Sequence, residues 1–302
     1  MDLVARAPRM PRPGETIIGG GFHTVPGGKG ANQAVAAARL GAQVSMVGRV
    51  GRDAFAQPLL DNLAAAGVDH TFVGRDAEAP TGVALIVVDD AGQNSIVVAS
   101  GANMQLSPAD VERAEAVISA ADVLLLQLES PVETVNRAAE LAHAHGVMVV
   151  LNPAPARALP ASLLSLVDVL VPNESETALL TRLPVGDRAE VEAAAVALRN
   201  LGVGTLILTL GERGALLAQE EGVSLFPAFQ VTPVDTTAAG DAFMGGFAVA
   251  LAEGQALEDA VRWGNAAGAL ATTKLGAQPS LPVRQDLQAT LAMGVMGEEG
   301  ES

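Results

Sequence analysis

The chain has 302 residues, no cysteine and a formal net charge of −16, with 34 acidic against 18 basic side chains. This length accommodates one large α/β domain, or such a domain with a small addition. The absence of cysteine excludes disulfides and thiolate chemistry and agrees with a reducing, cytoplasmic location. The acidic balance argues against nucleic acid and membrane surfaces as partners, because both attract basic patches. We therefore expect a small-molecule ligand.

Helical and extended patterns alternate along most of the chain. Residues 29–41 and 53–67 predict helices that end at glycines, and residues 44–50 predict a strand between them. Further short apolar strands are predicted at 123–129, 147–152, 167–173 and 205–210, with helical patterns at 107–120 and 130–146. Continuous apolar strands alternating with helices are typical of a mostly parallel sheet flanked by helices on both faces. No apolar run reaches the ~18 residues that a membrane span requires.

Two stretches interrupt this alternation. Residues 15–28 and 81–103 are rich in β-forming residues, and the second contains a turn signal at 89–92. Together they predict a small separate sheet that serves as a lid or a dimer surface. The predicted division is therefore an α/β body of residues 1–14, 27–80 and 104–294, a β lid of residues 15–26 and 81–103, and a disordered tail of residues 295–302.

Polar residues follow several of the predicted strands. They are Glu129, Asn152, Asn173 with Glu176, and Thr209 with Gly211. Ligands of open parallel sheets bind at the carboxyl ends of the strands. Each residue alone is more often a cap or a loop residue, but such a group at one edge indicates a binding site.

The segment VDTTAAGDAFMGGF places a single carboxylate, Asp241, at the start of a predicted helix. The small residues before it leave backbone N–H groups uncovered, so the helix N-terminus can bind an anion. The alternative is an ordinary glycine-containing helix start.

Several motifs along the chain resemble those of one family. They are PGGKGANQAVAAARLGA, LQLESP, LNPAPAR, VPNESE, LTLGERG, VDTTAAGDAF and GAQPS. In this order, and over residues 11–282, they resemble the ribokinase-like family of carbohydrate kinases. The resemblance implies a ribokinase-like α/β fold and transfer of the γ-phosphoryl group of ATP to the 5-hydroxyl of D-ribose. A related kinase for deoxyribose, fructose or a nucleoside remains an alternative, as does an inactive sugar-binding relative.

The resemblance also assigns roles around Asp241. Phosphoryl transfer to a hydroxyl needs a base, positive potential around the transferred group, and alignment of donor with acceptor. By similarity, Asp241 is the base, and the N–H groups of Ala238, Ala239 and Gly240 form the anion hole. The small side chains there let the γ-phosphoryl group approach, and the helix dipole favours its charge.

Binding residues are carried over in the same way. The expected sugar contacts, besides Asp241, are Asp2, Gly27, Gly28, Lys29, Asn32 and Glu129. The expected nucleotide contacts are Asn173, Thr209, Gly211, Gly214, Gly240 and Asn265. Glu176 is expected to hold Mg²⁺ through water, which suits an ion that keeps its hydration shell. Asn173 and Glu176 also fit the first turn of a helix, where acids are favoured in any case.

The family resemblance further implies a monovalent-cation site, and the apolar strands of the lid predict an assembly. The expected K⁺ positions are Asp235, Thr237, Ala271, Lys274, Gly276 and Ser280, most of them contributing backbone carbonyls. The lid is expected to pair with a second copy in a homodimer.

One departure from the family concerns the first strand. Family members begin with an apolar strand inside the sheet, whereas this sequence starts at MDLV, which corresponds to the segment that follows this strand in the family. Five buried apolar residues at roughly 1.5–3 kcal/mol each rival the whole stability of a domain, about 5–15 kcal/mol. We therefore expect the first strand of the fold to be missing from this sequence.

Overall fold

The computed structural model describes residues 1–298 of the chain. Its strands are β1 (Asp2–Arg6), β2 (Gly21–Val25), β3 (Val44–Val50), β4 (Val68–Arg75), β5 (Val83–Val88), β6 (Asn94–Ala99), β7 (Val123–Leu126), β8 (Met148–Leu151), β9 (Val169–Leu170), β10 (Thr205–Thr209), β11 (Ala215–Gln219) and β12 (Gly222–Phe226). Its helices are α1 (Lys29–Arg39), α2 (Ala56–Ala65), α3 (Pro108–Arg113), α4 (Glu115–Ser119), α5 (Val132–Ala144), α6 (Ala161–Leu164), α7 (Glu174–Thr181), α8 (Arg188–Arg199), α9 (Ala239–Ala252), α10 (Leu257–Thr272), α11 (Ala277–Ser280) and α12 (Arg284–Glu298).

The main sheet has six strands in the order β12-β11-β10-β9-β8-β7. Strands β7 to β10 are parallel, and β11 and β12 continue the sheet as antiparallel strands. Alternate residues of β8 face opposite sides: Val149 packs in a core with α5 and α8, whereas Val150 packs in a core with α9 and α10. The predicted fold class, a mostly parallel sheet with helices on both faces, is confirmed.

A second, two-stranded parallel sheet is formed by β3 and β4. Between β3 and β7 lies a cavity of about 880 Å³, lined by Val44 and Met46 on one side and by Val123 and Leu125 on the other. Within residues 1–298, no strand bridges the facing edges of β3 and β7.

The small sheet has the order β2-β1-β5-β6. It contains Asp2–Arg6, so the predicted division that placed residues 1–14 in the body is wrong at this point. Strand β1 pairs along its whole length with β2 and with β5, and local sequence does not reveal such long-range pairing. Every residue of β6 is exposed, including Val97 at 64%.

The C-terminal helix α12 continues to Glu298. The predicted disordered tail is therefore wrong for residues 295–298, and residues 299–302 lie outside the described residues. Among the helices of residues 1–298, none combines the length and the apolar character needed to cross a bilayer.

Candidate active site

Asp241 lies in the first turn of α9, directly beyond an unusual backbone turn. Ala238, the residue before the helix, has φ of 60° and ψ of 12°, the left-handed conformation, and its carbonyl accepts the first helical hydrogen bond from Ala242 N at 2.8 Å. Left-handed non-glycine residues cost roughly 1–3 kcal/mol and cluster at functional sites. The turn leaves the start of α9 open, since a Cβ added to Gly240 would meet nothing within 4 Å.

The predicted anion hole is available only in part. The Ala239 N–H donates to Thr236 O at 3.2 Å, within the turn before the helix. The Gly240 N–H stands at the second helical position, where no intrahelical partner exists. Gly240 is therefore a well-placed donor for an anion.

The Asp241 carboxylate is 7% exposed and is held by two adjacent residues of α1. Asn32 Nδ2 donates to Oδ2 at 2.8 Å, and Gln33 Nε2 donates to Oδ1 at 3.0 Å. Burial raises the pKa of Asp241, and this effect is opposed by the charge of Lys29 and by the two amide hydrogen bonds. Sequence reasoning missed Gln33, although it directly follows Asn32 in the GGKGANQ motif.

Two further carboxylates lie beside the loop that precedes α1. The Lys29 N–H donates to Glu129 Oε2 at 2.9 Å, and Gly28 turns the chain there with φ of 95°, which favours glycine. A Cβ added to Gly27 would overlap the Asp2 carboxylate, so a glycine is needed for this contact. Burial raises the pKa of both Asp2 and Glu129, and the Asp241 charge raises it further.

These contacts bring the predicted sugar residues into one region. The Asp241 charge raises the pKa of Asp2 and of Glu129, and the Lys29 charge lowers the pKa of Glu129 and of Asp241. Carboxylates accept hydrogen bonds but donate none when ionised, so they suit a ligand rich in hydroxyl donors. The arrangement fits a polyol.

Asn173 and Glu176 form a capping box at the start of α7. Asn173 Oδ1 accepts from Glu176 N at 2.8 Å, and Glu176 Oε2 accepts from Asn173 N at 2.9 Å. Glu176 is buried, which raises its pKa; the hydrogen bond from Asn173 and the charge of Lys29 lower it, while the Asp241 charge raises it. The helix-start interpretation is therefore correct for this pair, and the electrostatic coupling places Glu176 near Lys29 and Asp241.

The other predicted nucleotide residues lie near the ends of β10 and β11. Thr209 forms an isolated parallel bridge with Asn173. Gly211 has φ of 58° at the turn after β10, and a Cβ on Gly214 would overlap the carbonyl of Phe226. Gly214 is thus required for backbone packing.

Asn265 is buried and is held by backbone carbonyls at the end of β12. Its Nδ2 donates to Phe226 O at 3.1 Å and to Pro227 O at 3.2 Å, and the residue is 7% exposed. Its side-chain donors therefore anchor the loop after β12.

Three of the predicted cation residues, Asp235, Thr237 and Gly276, lie where two loops meet. Asp235 Oδ1 accepts from Thr237 N at 2.9 Å and from Thr237 Oγ1 at 2.6 Å, and Oδ2 accepts from Gly276 N at 2.8 Å. Burial opposes ionisation of Asp235, but these hydrogen bonds outweigh it and lower its pKa. The Lys274 ammonium lies 4.0 Å from Asp286, on the exposed surface.

The remaining two cation positions are buried. Ala271 lies within α10, and the Ser280 hydroxyl donates to Ala277 O at 2.7 Å. In the part of the chain that the structure describes, no group of three or more His, Asp or Glu side chains has the arrangement of a metal site.

Residues 1–284 match the pfkB family carbohydrate kinase model, and the chain belongs to that family. It is similar to the ribokinase of Haemophilus influenzae, with 44% identity over 94% of this chain and 93% of the relative. It is also similar to the deoxyribokinase of Salmonella typhi, with 40% identity over 97% and 96%. The solved structure of Arabidopsis thaliana ribokinase complexed with ribose and ATP superposes with a TM-score of 0.89, at 34% identity over 96% and 95% of the two chains.

Proposed function

We propose that the protein is an ATP-dependent kinase that transfers the γ-phosphoryl group of ATP to the 5-hydroxyl of D-ribose, giving ribose 5-phosphate. The observation that carries this proposal is the buried Asp241 carboxylate at the open N-terminus of α9, facing the polar pocket that Asp2, Lys29 and Glu129 form. Its relatives named ribokinase, aligned over nearly the whole chain, support the choice of ribose.

Asp241 acts as the general base. As the sugar oxygen bonds to the γ-phosphorus, the bond from that phosphorus to the β–γ bridging oxygen breaks and ADP leaves. The hydroxyl proton passes to the Asp241 carboxylate. Burial raises the pKa of Asp241, which makes its ionised form a stronger base than an exposed aspartate.

The start of α9 stabilises the charge on the transferred group. The Gly240 N–H and the positive end of the helix dipole face an anion there, and the absence of a side chain at Gly240 leaves room for it. Ala238 and Ala239 shape this turn.

The sugar hydroxyls donate to Asp2 and Glu129, while Asn32 and Lys29 contribute donors to the sugar oxygens. Gly27 and Gly28 let the backbone approach the ligand closely. Burial disfavours the ionised carboxylates of Asp2 and Glu129, and hydrogen bonds from the sugar hydroxyls offset this free-energy cost.

ATP binds along the strand ends near Asn173, Thr209, Gly211 and Gly214. Mg²⁺ supplies charge neutralisation on the phosphates when bound. The Glu176 carboxylate fits a role through the hydration shell of Mg²⁺, since both of its oxygens already accept hydrogen bonds from Asn173. Asn265 supports the nucleotide side by anchoring the loop after β12.

A monovalent cation, K⁺, would be held where the loops of Asp235 and Gly276 meet, beside the start of α9. The residues fit a weakly hydrated ion, because Asp235 supplies one negative charge and the buried positions Ala271 and Ser280 offer backbone carbonyls. We also propose that the exposed apolar residues of the small sheet are covered by a second copy in a homodimer. A cytoplasmic location agrees with the use of ATP and with a chain free of cysteine.

Deoxyribose is a second candidate acceptor, because the deoxyribokinase relative is 40% identical to this chain. The deciding experiment measures sugar-dependent ADP release with ribose, deoxyribose, fructose and adenosine. We expect the highest kcat/KM with ribose and a ³¹P signal of a 5-phosphate monoester in the product. ADP release that does not depend on any sugar, or a strong preference for another acceptor, would refute the proposal. The Asp241→Asn variant serves as the control for contaminating kinases.

A further inference from the structure

Gln33 is a fully enclosed side chain, 1% exposed, that contacts the Asp241 carboxylate. We infer that Gln33 is a positioning residue that fixes the orientation of the Asp241 carboxylate for proton transfer, an inference that rests on the proposed role of Asp241 as the base. The inference follows from two chains of hydrogen-bonded side-chain amides that both end at the Asp241 carboxylate.

The first chain of amides begins at the end of β7. Gln127 Nε2 donates to Gln33 Oε1 at 2.6 Å, and Gln33 Nε2 donates to Asp241 Oδ1 at 3.0 Å. Gln33 Nε2 also lies 3.3 Å from Asn152 Oδ1, and Asn152 in turn donates to Val171 O at 2.9 Å. Residues that follow β7, β8 and β9 thus set the position of the Gln33 amide.

This environment permits one orientation of the Gln33 amide. If the amide were reversed, its oxygen would face the oxygens of Asp241 and Asn152, and its nitrogen would face the nitrogen of Gln127. Each of these contacts would replace a hydrogen bond by repulsion between like groups. The donor that faces Asp241 is therefore fixed before any ligand binds.

A second chain of amides reaches the other carboxylate oxygen. Asn62 donates to Gln278 Oε1, Gln278 Nε2 donates to Asn32 Oδ1 at 3.0 Å, and Asn32 Nδ2 donates to Asp241 Oδ2 at 2.8 Å. With one donor on each oxygen, rotation of the carboxylate is restrained. A carboxylate has about four lone-pair positions, so positions for the substrate proton remain.

The same donors favour the ionised base. A hydrogen bond to a carboxylate lowers its pKa, whereas burial raises it. Four charged groups interact with Asp241. The Lys29 charge lowers the pKa of Asp241, and the Asp241 charge raises the pKa of Asp2, Glu129 and Glu176. Removal of the Gln33 donor leaves these four groups in place.

The test compares Gln33→Met, which keeps an unbranched side chain without the donor, with the unmodified enzyme. We expect kcat to fall by about 10²-fold, as a misplaced reacting group does, while KM for sugar and ATP changes only a few-fold. The apparent pKa of the acid limb of the kcat–pH profile should increase by about one to two units, because the charged carboxylate loses a hydrogen bond. Thr134→Val is the matched control, since Thr134 is 2% exposed and its hydroxyl donates to Leu106 O at 2.8 Å, outside the two chains of amides that reach Asp241.

A Gln33→Met enzyme with the unmodified pH profile would overturn the inference, as would an equal shift in Thr134→Val. If Gln33→Met does not fold, Gln127→Met replaces it; we expect a smaller shift in the same direction, and no shift would count against the inference. A wild-type protein that phosphorylates no sugar contradicts the proposed function instead. In that case the ¹³C titration of the Asp241 carboxyl, assigned with Asp241→Asn, still decides whether Gln33 lowers its pKa.

Discussion

Substitution of Gly245 by alanine should reduce activity without changing any group in the pocket. Gly245 lies on α9 one turn after Asp241, at the contact with α1. An added Cβ would lie 2.5 Å from the Cβ of Ala36 and 3.0 Å from Ala37 N, whereas ordinary contacts begin at about 3.4 Å. Helices α1 and α9 must therefore move apart by close to 1 Å.

This separation acts directly on the base. The bonds from Asn32 and Gln33 to Asp241 span the same two helices at 2.8 and 3.0 Å, and a further 1 Å takes both beyond hydrogen-bond length. We expect kcat to fall by about 10²-fold, since a 1 Å misplacement of a reacting group has an effect of that order. Overpacking costs about 1–3 kcal/mol, and the helix propensity of alanine offsets about 1 kcal/mol of it. The melting temperature should therefore fall by only a few degrees.

The neighbouring Gly246→Ala variant is the control. Its Cβ would lie 2.8 Å from Trp263 O and 2.9 Å from Ala267 Cβ, so the same helix is overpacked against α10 and not against α1. The assay pairs steady-state kcat with calorimetric melting for both variants. We expect similar losses of melting temperature and a much larger loss of kcat in Gly245→Ala. Equal losses of kcat would refute the reasoning that the α1–α9 distance sets the geometry of the base.

Four further outcomes are expected. Asp241→Asn should lower kcat by about 10²- to 10⁴-fold and leave ribose and ATP affinities, measured by calorimetry, within a few-fold; a near-normal kcat would exclude Asp241 as the base. Burial raises the pKa of Glu129, so its ionised form destabilises the fold above that pKa. The Glu129→Gln variant should therefore melt at a higher temperature than the unmodified protein at pH 8, but not at pH ~3, where both side chains are neutral. It should also bind ribose about 10-fold more weakly. K⁺ should raise activity more than Na⁺, and Asp235→Ala should abolish the difference; equal rates in both salts would contradict the cation site. Val97→Asp, on the exposed β6, should convert a dimer to a monomer in light scattering, and a monomeric wild type would contradict the proposed assembly.

The sequence predicted the elements whose pattern is local. Helix α1 and strand β3 were placed within one or two residues, because an amphipathic period and a terminal glycine define them. Strand β1 was assigned to the wrong unit, because its five residues carry no signal for their partners 15–23 and 82 residues away. The β11–β12 hairpin was not predicted at all.

The site residues stay a prediction, because most of them were carried over from the family through the motifs around Lys29 and Asp241. Residue chemistry alone predicted only the anion-binding helix start, where small residues precede the Asp241 carboxylate. Gln33 was missed because its function depends on Gln127, a contact 94 positions away in sequence. The nucleotide contact of Asn265 stays a prediction, and its hydrogen bonds to Phe226 O and Pro227 O are visible only in the fold.

The cavity between β3 and β7 leads to a last prediction. Within residues 1–298, the facing edges of β3 and β7 carry unpaired backbone groups, and the 880 Å³ between them is lined largely by apolar side chains, so the cavity could accommodate one added apolar strand. Met1 lies at its rim, where its ammonium donates to Gly82 O at 2.9 Å and burial lowers its pKa. An apolar strand of about five residues fused ahead of Met1 would run alongside β7 and bury roughly 1.5–3 kcal/mol per side chain. We expect this extended chain to melt well above the 302-residue chain and to protect the amides of β3 and β7 from hydrogen exchange. An unchanged melting temperature and unchanged exchange would mean that the two edges do not accept a strand.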